Sequence, residues 1–337
     1  MTVLFGKMLD ETRFNVKFYL VPKGNVSSSI SSFIPSKYEF CQMEGSSPIH
    51  LIWKLKKIIK MEKPDIIFSS VFYLNNKLLL LKFLFPSIKF VVRCENYLYT
   101  FSKKQQVLLK WVYKKADKIV AQTEEMKEEL VQEAKIAANK IETIHNPIDV
   151  DFIEESLLNA NNPFPDNAKK HFLASGRFAY QKGFDLLVEA FDIARKKRND
   201  IELFIIGVND GNAKEEYDRV WEIVKNRHLD KFVHSIGFQN NPYNYVKHAD
   251  VFVLSSRWEG MPNVLLEALY LGTPVAAFKC IPIIERIVKN GIDGNLADSN
   301  SPNSLAEAML NSLKIERKPS RYVGTDKKMI TNLFEKF

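Results

Sequence analysis

The chain has 337 residues, of which 46% are hydrophobic and 26% charged, and its formal net charge is +8. This length accommodates two domains with separate cores, and the composition excludes a disordered or fibrous chain. Three widely spaced cysteines, Cys41, Cys94 and Cys280, exclude a disulfide framework and indicate thiols in a reducing compartment.

The sequence lacks the signals of several other classes of protein. The most apolar stretch, 78–85, is interrupted by Lys82 and followed by Pro86, well short of the roughly 18 apolar residues of a membrane span. The first residues carry no cleavable signal pattern, and no GxGxxG or Walker loop occurs. These features argue against a transmembrane protein, a dinucleotide-binding protein and a P-loop enzyme.

The first half of the chain is predicted to alternate helices with strands, which is typical of a parallel sheet. A Ser-rich loop is predicted over 24–36, between the opening elements and the rest. The predicted helices cover residues 2–10, 49–61, 74–85, 103–115 and 123–132. The predicted strands cover residues 16–21, 66–70, 88–93, 118–122 and 141–144.

The charge is unevenly distributed along this half. Residues 50–118 contain 15 Lys and Arg against 4 Asp and Glu, which gives +11, whereas residues 119–168 contain 3 against 11, which gives −8. Within 50–118, lysines stand beside Trp, Leu, Ile and Val at helical spacing. Two interpretations stay open: helices that lie on an anionic membrane surface, or ordinary amphipathic helices that pack on a sheet.

The junction between the halves is rich in Asn, Pro and Asp. Asp149 and Asp151 form an Asp-x-Asp, but no further ligand cluster accompanies them, so a turn is predicted rather than a metal site. Residues 154–168 are predicted to be a linker.

The second half begins with a short strand at 171–174 and a loop that carries two glycines and two cations. Gly176 and Gly183 allow a tight strand-to-helix turn, and Arg177 and Lys182 lie between them. Isolated Arg and Lys residues usually face solvent. Gly207 directly follows the next strand, at 201–206, and Gly237 lies two residues after the strand at 232–235.

Residues 251–278 form the most informative stretch, predicted as strand, loop, helix and strand. Asn263 is a plausible N-cap for a helix over 264–271, and the N–H groups of such a terminus suit phosphate. Glu259 precedes this helix and Glu267 lies within it. Carboxylates there suit sugar or ribose hydroxyls, although a random pair at this spacing is most often solvated.

The stretch SSRWEGMPNVLLEALYLGTPVAA resembles the E-x7-E signature of retaining glycosyltransferases of the GT-B fold, glycosyltransferase family 4. The resemblance is close over 165–310 and loose over 1–150. It implies that Glu259 lies beside the donor sugar and that Glu267 binds the ribose. It also implies that Arg177 and Lys182 bind the donor's pyrophosphate.

The resemblance assigns further donor contacts to the loops after the strands and to the start of the helix. These residues are Gly176, Gly207, Gly237, Phe238, Gly260, Met261, Pro262, Asn263, Val264 and Leu265. Family members often carry a His that faces the sugar after the third predicted strand of the first half, where this chain has Glu95 and Asn96. Either side chain could contact the acceptor side, and a helix-capping pair is the alternative.

The resemblance also implies an α/β fold of two doubly wound domains that face each other across a cleft. The expected parts are an acceptor-side domain at 1–153, a linker at 154–168, a nucleotide-sugar domain at 169–315 and a tail at 316–337 with a helix that returns to the first domain. The family's opening strand and glycine-rich loop do not appear before the first helix, so the first domain is expected to lack its first strand.

The expected activity is retaining transfer from a UDP-sugar to a saccharide or lipid-linked saccharide, in lipopolysaccharide, O-antigen or capsule assembly. It would need no metal or other cofactor and would act in the cytoplasm or at the inner membrane face. Two alternatives stay open: a nucleotide-sugar epimerase, and a non-catalytic or truncated relative that binds nucleotide. Nucleic-acid binding fits the basic segment, but the second half has a more specific explanation.

Overall fold

The computed structural model describes residues 1–21, 34–43, 47–165, 168–208, 211–318 and 327–337. Most of the predicted loop at 24–36 therefore lies outside the described residues, as do 166–167 of the predicted linker and 209–210 after the second strand of the second half. Contacts divide the chain into a first unit, Met1–Pro147 with Thr325–Phe337, and a second unit, Ile148–Gly324. The division falls six residues before the domain boundary predicted at 153.

The first unit contains two parallel sheets among its described residues, one of strands β1-β2 and one in the order β3-β4-β5-β6. Its helices and strands are α1 (Thr2–Lys7), β1 (Lys17–Leu20), β2 (Glu39–Gln42), α2 (Pro48–Glu62), β3 (Ile66–Ser69), α3 (Phe72–Leu81), β4 (Lys89–Arg93), α4 (Lys103–Val112), β5 (Lys118–Ala121), α5 (Glu124–Gln132), β6 (Ile141–Thr143) and α13 (Lys327–Glu335).

Aromatic packing joins the first and last helices to the four-stranded sheet. Phe5 of α1 stacks on Phe68 of β3 with ring centroids 5.1 Å apart, and Phe334 of α13 meets Phe68 edge to face at 5.6 Å. Val91 and Val120, on the central strands, complete this buried cluster. Because these valines alternate with residues that face the other side of the sheet, α1 and α13 cover one face only.

The second unit is built on a six-stranded parallel sheet in the order β12-β11-β10-β7-β8-β9. Its elements are α6 (Val150–Ser156), β7 (Lys170–Ser175), α7 (Phe184–Lys197), β8 (Ile201–Ile206), α8 (Lys214–Asn226), β9 (Val233–Ser235), α9 (Pro242–His248), β10 (Val251–Leu254), α10 (Asn263–Tyr270), β11 (Val275–Phe278), α11 (Ile283–Ile287), β12 (Gly294–Ala297) and α12 (Pro302–Ser312).

This strand order places a topological switch point between β7 and β10. From β7 the chain proceeds outward through β8 and β9, then returns to β10 on the other side of β7, and Val251 pairs with Phe172 there. Helices on both faces bury the central strands, so these strands consist almost entirely of apolar residues. Ligands of open parallel sheets bind beyond the carboxyl ends of strands at such a point. A ligand site is therefore expected at the loops after β7 and β10.

Several local predictions differ from the structure. The residues around 149–156 form a helix, α6, rather than a turn and a linker, because the Asp149 carboxylate accepts a hydrogen bond from the Phe152 N–H (3.4 Å) as its N-cap. Strands β2 and β12 and helix α11 were not predicted. No helix within the described ranges is long and apolar enough to cross a membrane.

Candidate functional site

The loop after β10 leads directly into α10, and most of its residues are buried. Gly260, Met261 and Pro262 follow Glu259 in this buried segment. The prediction that Asn263 caps the helix is wrong. The N-cap is Pro262, whose carbonyl accepts from the Leu265 N–H (3.1 Å), and Asn263 is the first residue of the helix. Proline has no side-chain acceptor, so the first turn of α10 begins without a side-chain cap.

An ion pair joins the two switch-point loops. The Lys182 ammonium donates to Glu259 Oε1 (2.7 Å), and the Ser256 hydroxyl donates to the same oxygen (2.6 Å). The Lys182 side chain is 18% exposed and that of Glu259 8%. Glu259 Oε2 forms no hydrogen bond with the described residues. Because an ammonium carries three N–H donors, Lys182 also keeps donors for a ligand.

Close backbone approaches hold these loops in place. Gly183 has φ +62°, and a Cβ there would lie 2.2 Å from the Ser255 carbonyl oxygen. The Ser255 hydroxyl in turn donates to the Lys182 carbonyl (2.8 Å). Only glycine combines this left-handed backbone with this contact, so Gly183 allows the loop that carries Lys182 to lie against the end of β10.

A second group of glycines lines the ends of β7, β8 and β9. A Cβ on Gly207 would lie 2.4 Å from the Gly176 carbonyl oxygen, and the Gly207 N–H donates to the Gly237 carbonyl (3.1 Å). The Lys182 side chain passes over Gly176, because a Cβ on Gly176 would lie 3.2 Å from Lys182 Cε. The structure thus gathers three glycines that the sequence places about thirty residues apart.

Glu267 lies on α10, and burial raises the pKa of its carboxyl group to about 7. Burial also raises the pKa of Tyr243, on the neighbouring helix α9, and the charge of Glu267 adds to that effect. A carboxylate held in this way gains most from a ligand that donates hydrogen bonds to it.

The remaining predicted site residues differ in exposure and location. Arg177 is exposed and has no hydrogen bond or ion pair with any described residue, and Phe238 is 56% exposed. Val264 and Leu265 belong to the first turn of α10. Glu95 and Asn96 lie in the first unit, after β4.

The capping alternative for Glu95 and Asn96 is not what the structure contains. The 3-10 turn at 98–100 takes its acceptor from Glu129, whose carboxylate accepts from the Leu98 N–H (2.6 Å). The Ser102 hydroxyl caps α4. The predicted acceptor-side role of Glu95 and Asn96 stays a prediction.

Sequence reasoning missed a second ion pair that ties the same loops together. The Arg257 guanidinium donates to both carboxylate oxygens of Asp185 (2.9 and 2.6 Å) and to the Tyr180 carbonyl (2.7 Å). The Arg257 N–H also donates to the Gln181 carbonyl (2.8 Å). Burial raises the pKa of the Asp185 carboxyl group, but the positive charges of Arg257 and Arg219 outweigh burial and hold this pKa below its usual range. The partners are 72 residues apart, and no spacing signal links them.

Family models match both halves of the chain. The model described as Glycosyl transferases group 1 matches residues 159–329, and the model described as Glycosyltransferase Family 4 matches residues 14–152. The chain belongs to the glycosyltransferases of family 4. Its α/β architecture is the GT-B fold of these enzymes, which confirms the fold class expected from the sequence.

Curated glycosyltransferases match over much of the chain. An uncharacterized glycosyltransferase of Methanocaldococcus jannaschii is 30% identical over 68% of this chain and 59% of its own length. The amylovoran biosynthesis glycosyltransferase AmsD of Erwinia amylovora is 27% identical over 91% of this chain and 83% of its own. The chain spans only half to three-fifths of the length of some relatives that it matches.

One further relative and one solved structure carry informative names. The UDP-Gal:alpha-D-GlcNAc-diphosphoundecaprenol alpha-1,3-galactosyltransferase of Escherichia coli is 27% identical over 76% of this chain and 68% of its own. The crystal structure of Anabaena Alr3699/HepE in complex with UDP and glucose superposes with a TM-score of 0.73. It covers 94% of this chain and 90% of that one at 17% identity, and so supports the fold.

Proposed function

We propose that this glycosyltransferase moves a sugar from a UDP-sugar to a lipid-linked saccharide, with retention of anomeric configuration, in the assembly of a cell-surface polysaccharide. The observation that carries the proposal is the Lys182–Glu259 ion pair at the switch point, beside the uncapped start of α10. It puts a cation for a diphosphate and a carboxylate for a sugar in one loop cluster.

In this proposal, Lys182 and Glu259 bind adjacent parts of the donor. The ammonium keeps one N–H on Glu259 Oε1 and turns the others to diphosphate oxygens. The unpaired Oε2 then accepts a hydrogen bond from a sugar hydroxyl. Arg177, exposed on the same loop, adds a planar guanidinium to the diphosphate.

The bond changes require charge stabilisation rather than a protein nucleophile. The bond between the anomeric carbon and the diphosphate oxygen breaks, and the acceptor hydroxyl oxygen bonds to that carbon from the same face. The hydroxyl proton passes to the departing diphosphate. Lys182, Arg177 and the N–H groups at the start of α10 stabilise the developing negative charge, so protein groups take the role that a metal has in other transferases.

Glu267 completes donor recognition by accepting hydrogen bonds from the ribose hydroxyls. Burial raises the pKa of this carboxyl group, so hydrogen bonds from ribose hydroxyls would stabilise its charged form. The glycine-lined ends of β8 and β9, at Gly207 and Gly237, leave backbone groups close to the remaining nucleotide. A UDP-linked donor is favoured by the UDP complex of HepE and by the name of the E. coli relative.

The names of the relatives support the proposed acceptor class. The E. coli relative is named for a diphosphoundecaprenol-linked acceptor and AmsD for amylovoran biosynthesis. A lipid-linked saccharide would bring this chain to a membrane surface. The unpaired thiols of Cys41, Cys94 and Cys280 fit a reducing, cytoplasmic side for the reaction.

Calorimetric titration with UDP and GDP, followed by UDP-sugar turnover on the same sample, tests the proposal. We expect selective UDP binding, slow UDP release from one UDP-sugar, and faster release once a lipid-linked saccharide is added. The anomeric proton coupling of the product then reports retention or inversion. UDP binding without turnover would indicate a non-catalytic relative, and isomerised UDP-sugar an epimerase. Chelator-sensitive turnover would overturn the metal-independent step.

A further inference from the structure

The outward face of α2 is apolar as well as basic. Its buried stripe, Leu51, Leu55 and Ile59, recurs every four residues and accounts for the inward packing of the helix. Trp53 and Ile49, off this stripe, are 64% and 71% exposed, and Met61 is 66% exposed. Core packing therefore explains only part of the apolar content of α2.

Helix α4 repeats this arrangement. Leu109 and Val112 are buried, whereas Trp111 is 59% exposed and Val107 68%. A large aromatic and a β-branched residue thus stand one turn apart on the solvent side. Soluble helices usually place charged or polar residues at such positions.

The charge on these two faces has one sign. Residues 48–61 contain four lysines and residues 103–115 contain five, with no Asp or Glu in either segment. The Lys56 ammonium lies 5.3 Å from the ring centroid of Trp53, and the Lys115 ammonium 4.0 Å from that of Trp111. Each tryptophan therefore stands next to a cation that can reach a headgroup phosphate from the same site.

The two faces belong to one layer of helices. Helix α3 packs on strand β4, and both α2 and α4 pack on α3. Crossovers between parallel strands are right-handed, so α3, between β3 and β4, and α4, between β4 and β5, lie on the same side of the sheet. The exposed faces of α2 and α4 are thus parts of one outer surface of the first unit.

We propose that this surface, formed by Ile49, Trp53, Met61, Val107 and Trp111 with the surrounding lysines, docks the first unit on a membrane that contains anionic phospholipid. Tryptophan favours the headgroup level of a bilayer, short aliphatic side chains enter the acyl boundary, and lysine is attracted to anionic lipid. The inference extends the proposed function, because a lipid-linked acceptor is presented at such a surface.

Charge and shape favour this occupant over two others. A second copy of the chain in a two-fold contact would place these lysines against the same lysines. A nucleic acid would satisfy the lysines but would leave Ile49, Met61 and Val107 facing phosphate and water. Only an anionic bilayer offers negative charge and an apolar layer together.

Co-sedimentation of the full chain with vesicles tests the surface. We expect binding to vesicles of phosphatidylglycerol and phosphatidylcholine but not to pure phosphatidylcholine, with binding weakened by salt. Replacing Lys56 and Lys57 by Gln should lower the partition coefficient roughly fivefold per lysine. Changing Trp53→Ala and Trp111→Ala should lower it by at least roughly tenfold.

A matched control uses exposed lysines of the second unit. The pair Lys225→Gln and Lys231→Gln removes the same charge elsewhere and should leave vesicle binding unchanged. If this control variant lost as much vesicle binding as the Lys56 and Lys57 variant, net charge alone would explain the binding and the proposal would be overturned. So would unchanged binding in the tryptophan variant, or a dimer in solution that both face variants abolish.

The two proposals fail separately. UDP titration and UDP-sugar hydrolysis without vesicles should be unchanged in the face variants, because the altered residues lie outside the donor site. Vesicle binding without UDP binding would overturn the proposed function and leave the docking surface in place. UDP-sugar turnover without vesicle binding would overturn the docking surface and leave the proposed function in place.

Discussion

The two units bury a cation at strand ends in different ways. In the first unit, Arg93 at the end of β4 is 4% exposed and donates to the amide oxygen of Asn146. Burial lowers its pKa to about 10. In the second unit, Lys182 pairs with a carboxylate, stays partly exposed and keeps unused donors.

This difference separates a structural cation from one that is proposed to bind a ligand, on similar sheets. Around Arg93, Asn75 donates to the Arg93 carbonyl (3.0 Å) and to the Tyr113 hydroxyl (2.9 Å), which seals the strand end with side chains. Around Lys182, glycines take the place of such side chains, and the Lys182 side chain passes over Gly176. Strand-end position is therefore insufficient to identify a site, because a cation there can be fully buried or can stay partly exposed.

The largest expected effect comes from removing the second unit's cation. Changing Lys182→Ala should lower UDP-sugar turnover about 10²- to 10³-fold, because it deletes one preorganised donor to the leaving diphosphate. Steady-state UDP release is the measurement. The control is Lys169→Ala, which breaks a lysine ion pair with Glu202 (2.5 Å) just before β7. Near-normal turnover of Lys182→Ala would remove the proposed diphosphate role.

The close packing of the loop after β7 against the loop after β10 should depend strongly on Gly183. Changing Gly183→Ala should destabilise the protein by about 2–4 kcal/mol, since a Cβ adds left-handed strain to a clash with the Ser255 carbonyl. Denaturant unfolding measures this. Gly291 also has positive φ (+78°) but no atom within 4 Å of a Cβ, so Gly291→Ala should cost only about 1–2 kcal/mol. Equal costs would argue against the close approach.

A substitution at the sealed strand end of the first unit should lower the free energy of unfolding without changing UDP affinity. Changing Asn146→Ala removes the acceptor of a buried guanidinium and should cost about 2–3 kcal/mol. Calorimetric UDP affinity, which the second unit is proposed to supply, should not change. The exposed Asn139→Ala serves as a control with little effect on unfolding. Loss of UDP binding in Asn146→Ala, with the protein still folded, would break the distinction between the two cations.

The smallest expected effect is a pH dependence from Glu267. Because its pKa is raised to about 7, the unliganded protein holds a proton there that ribose hydroxyls would displace. The affinity for a UDP-sugar should therefore rise roughly tenfold from pH 6 to pH 8 and then level off. The same carboxyl stabilises the unliganded fold most below its unfolded pKa of about 4.5, and that stabilisation is lost as the pH rises through 7.

Calorimetry with a UDP-sugar, whose diphosphate does not titrate in this range, measures the affinity across pH. The variant Glu267→Gln should bind more weakly at pH 8 and lose the pH dependence. A dependence that persists in this variant would assign it to another group.

Much of the fold could be predicted from local patterns. Val251–Leu254 is a short apolar run between polar residues, Ile201–Ile206 is apolar apart from Glu202, and the structure has both strands at the predicted bounds. Elements with weaker patterns were missed. Strand β2 is half-buried and includes Glu39 and Gln42, so it lacks an apolar run, and its pairing with β1 depends on a distant segment.

The sequence by itself determined the family, the α/β fold class and the identity of Lys182, Glu259 and Glu267 as candidate ligand-binding residues, because a local motif carries these. Only the tertiary structure decided that Lys182 pairs with Glu259 and Arg257 with Asp185. It also decided which helical faces reach solvent. Ion pairs across more than seventy residues and the exposure of Trp53 and Trp111 depend on how distant segments pack, and no local spacing encodes that packing.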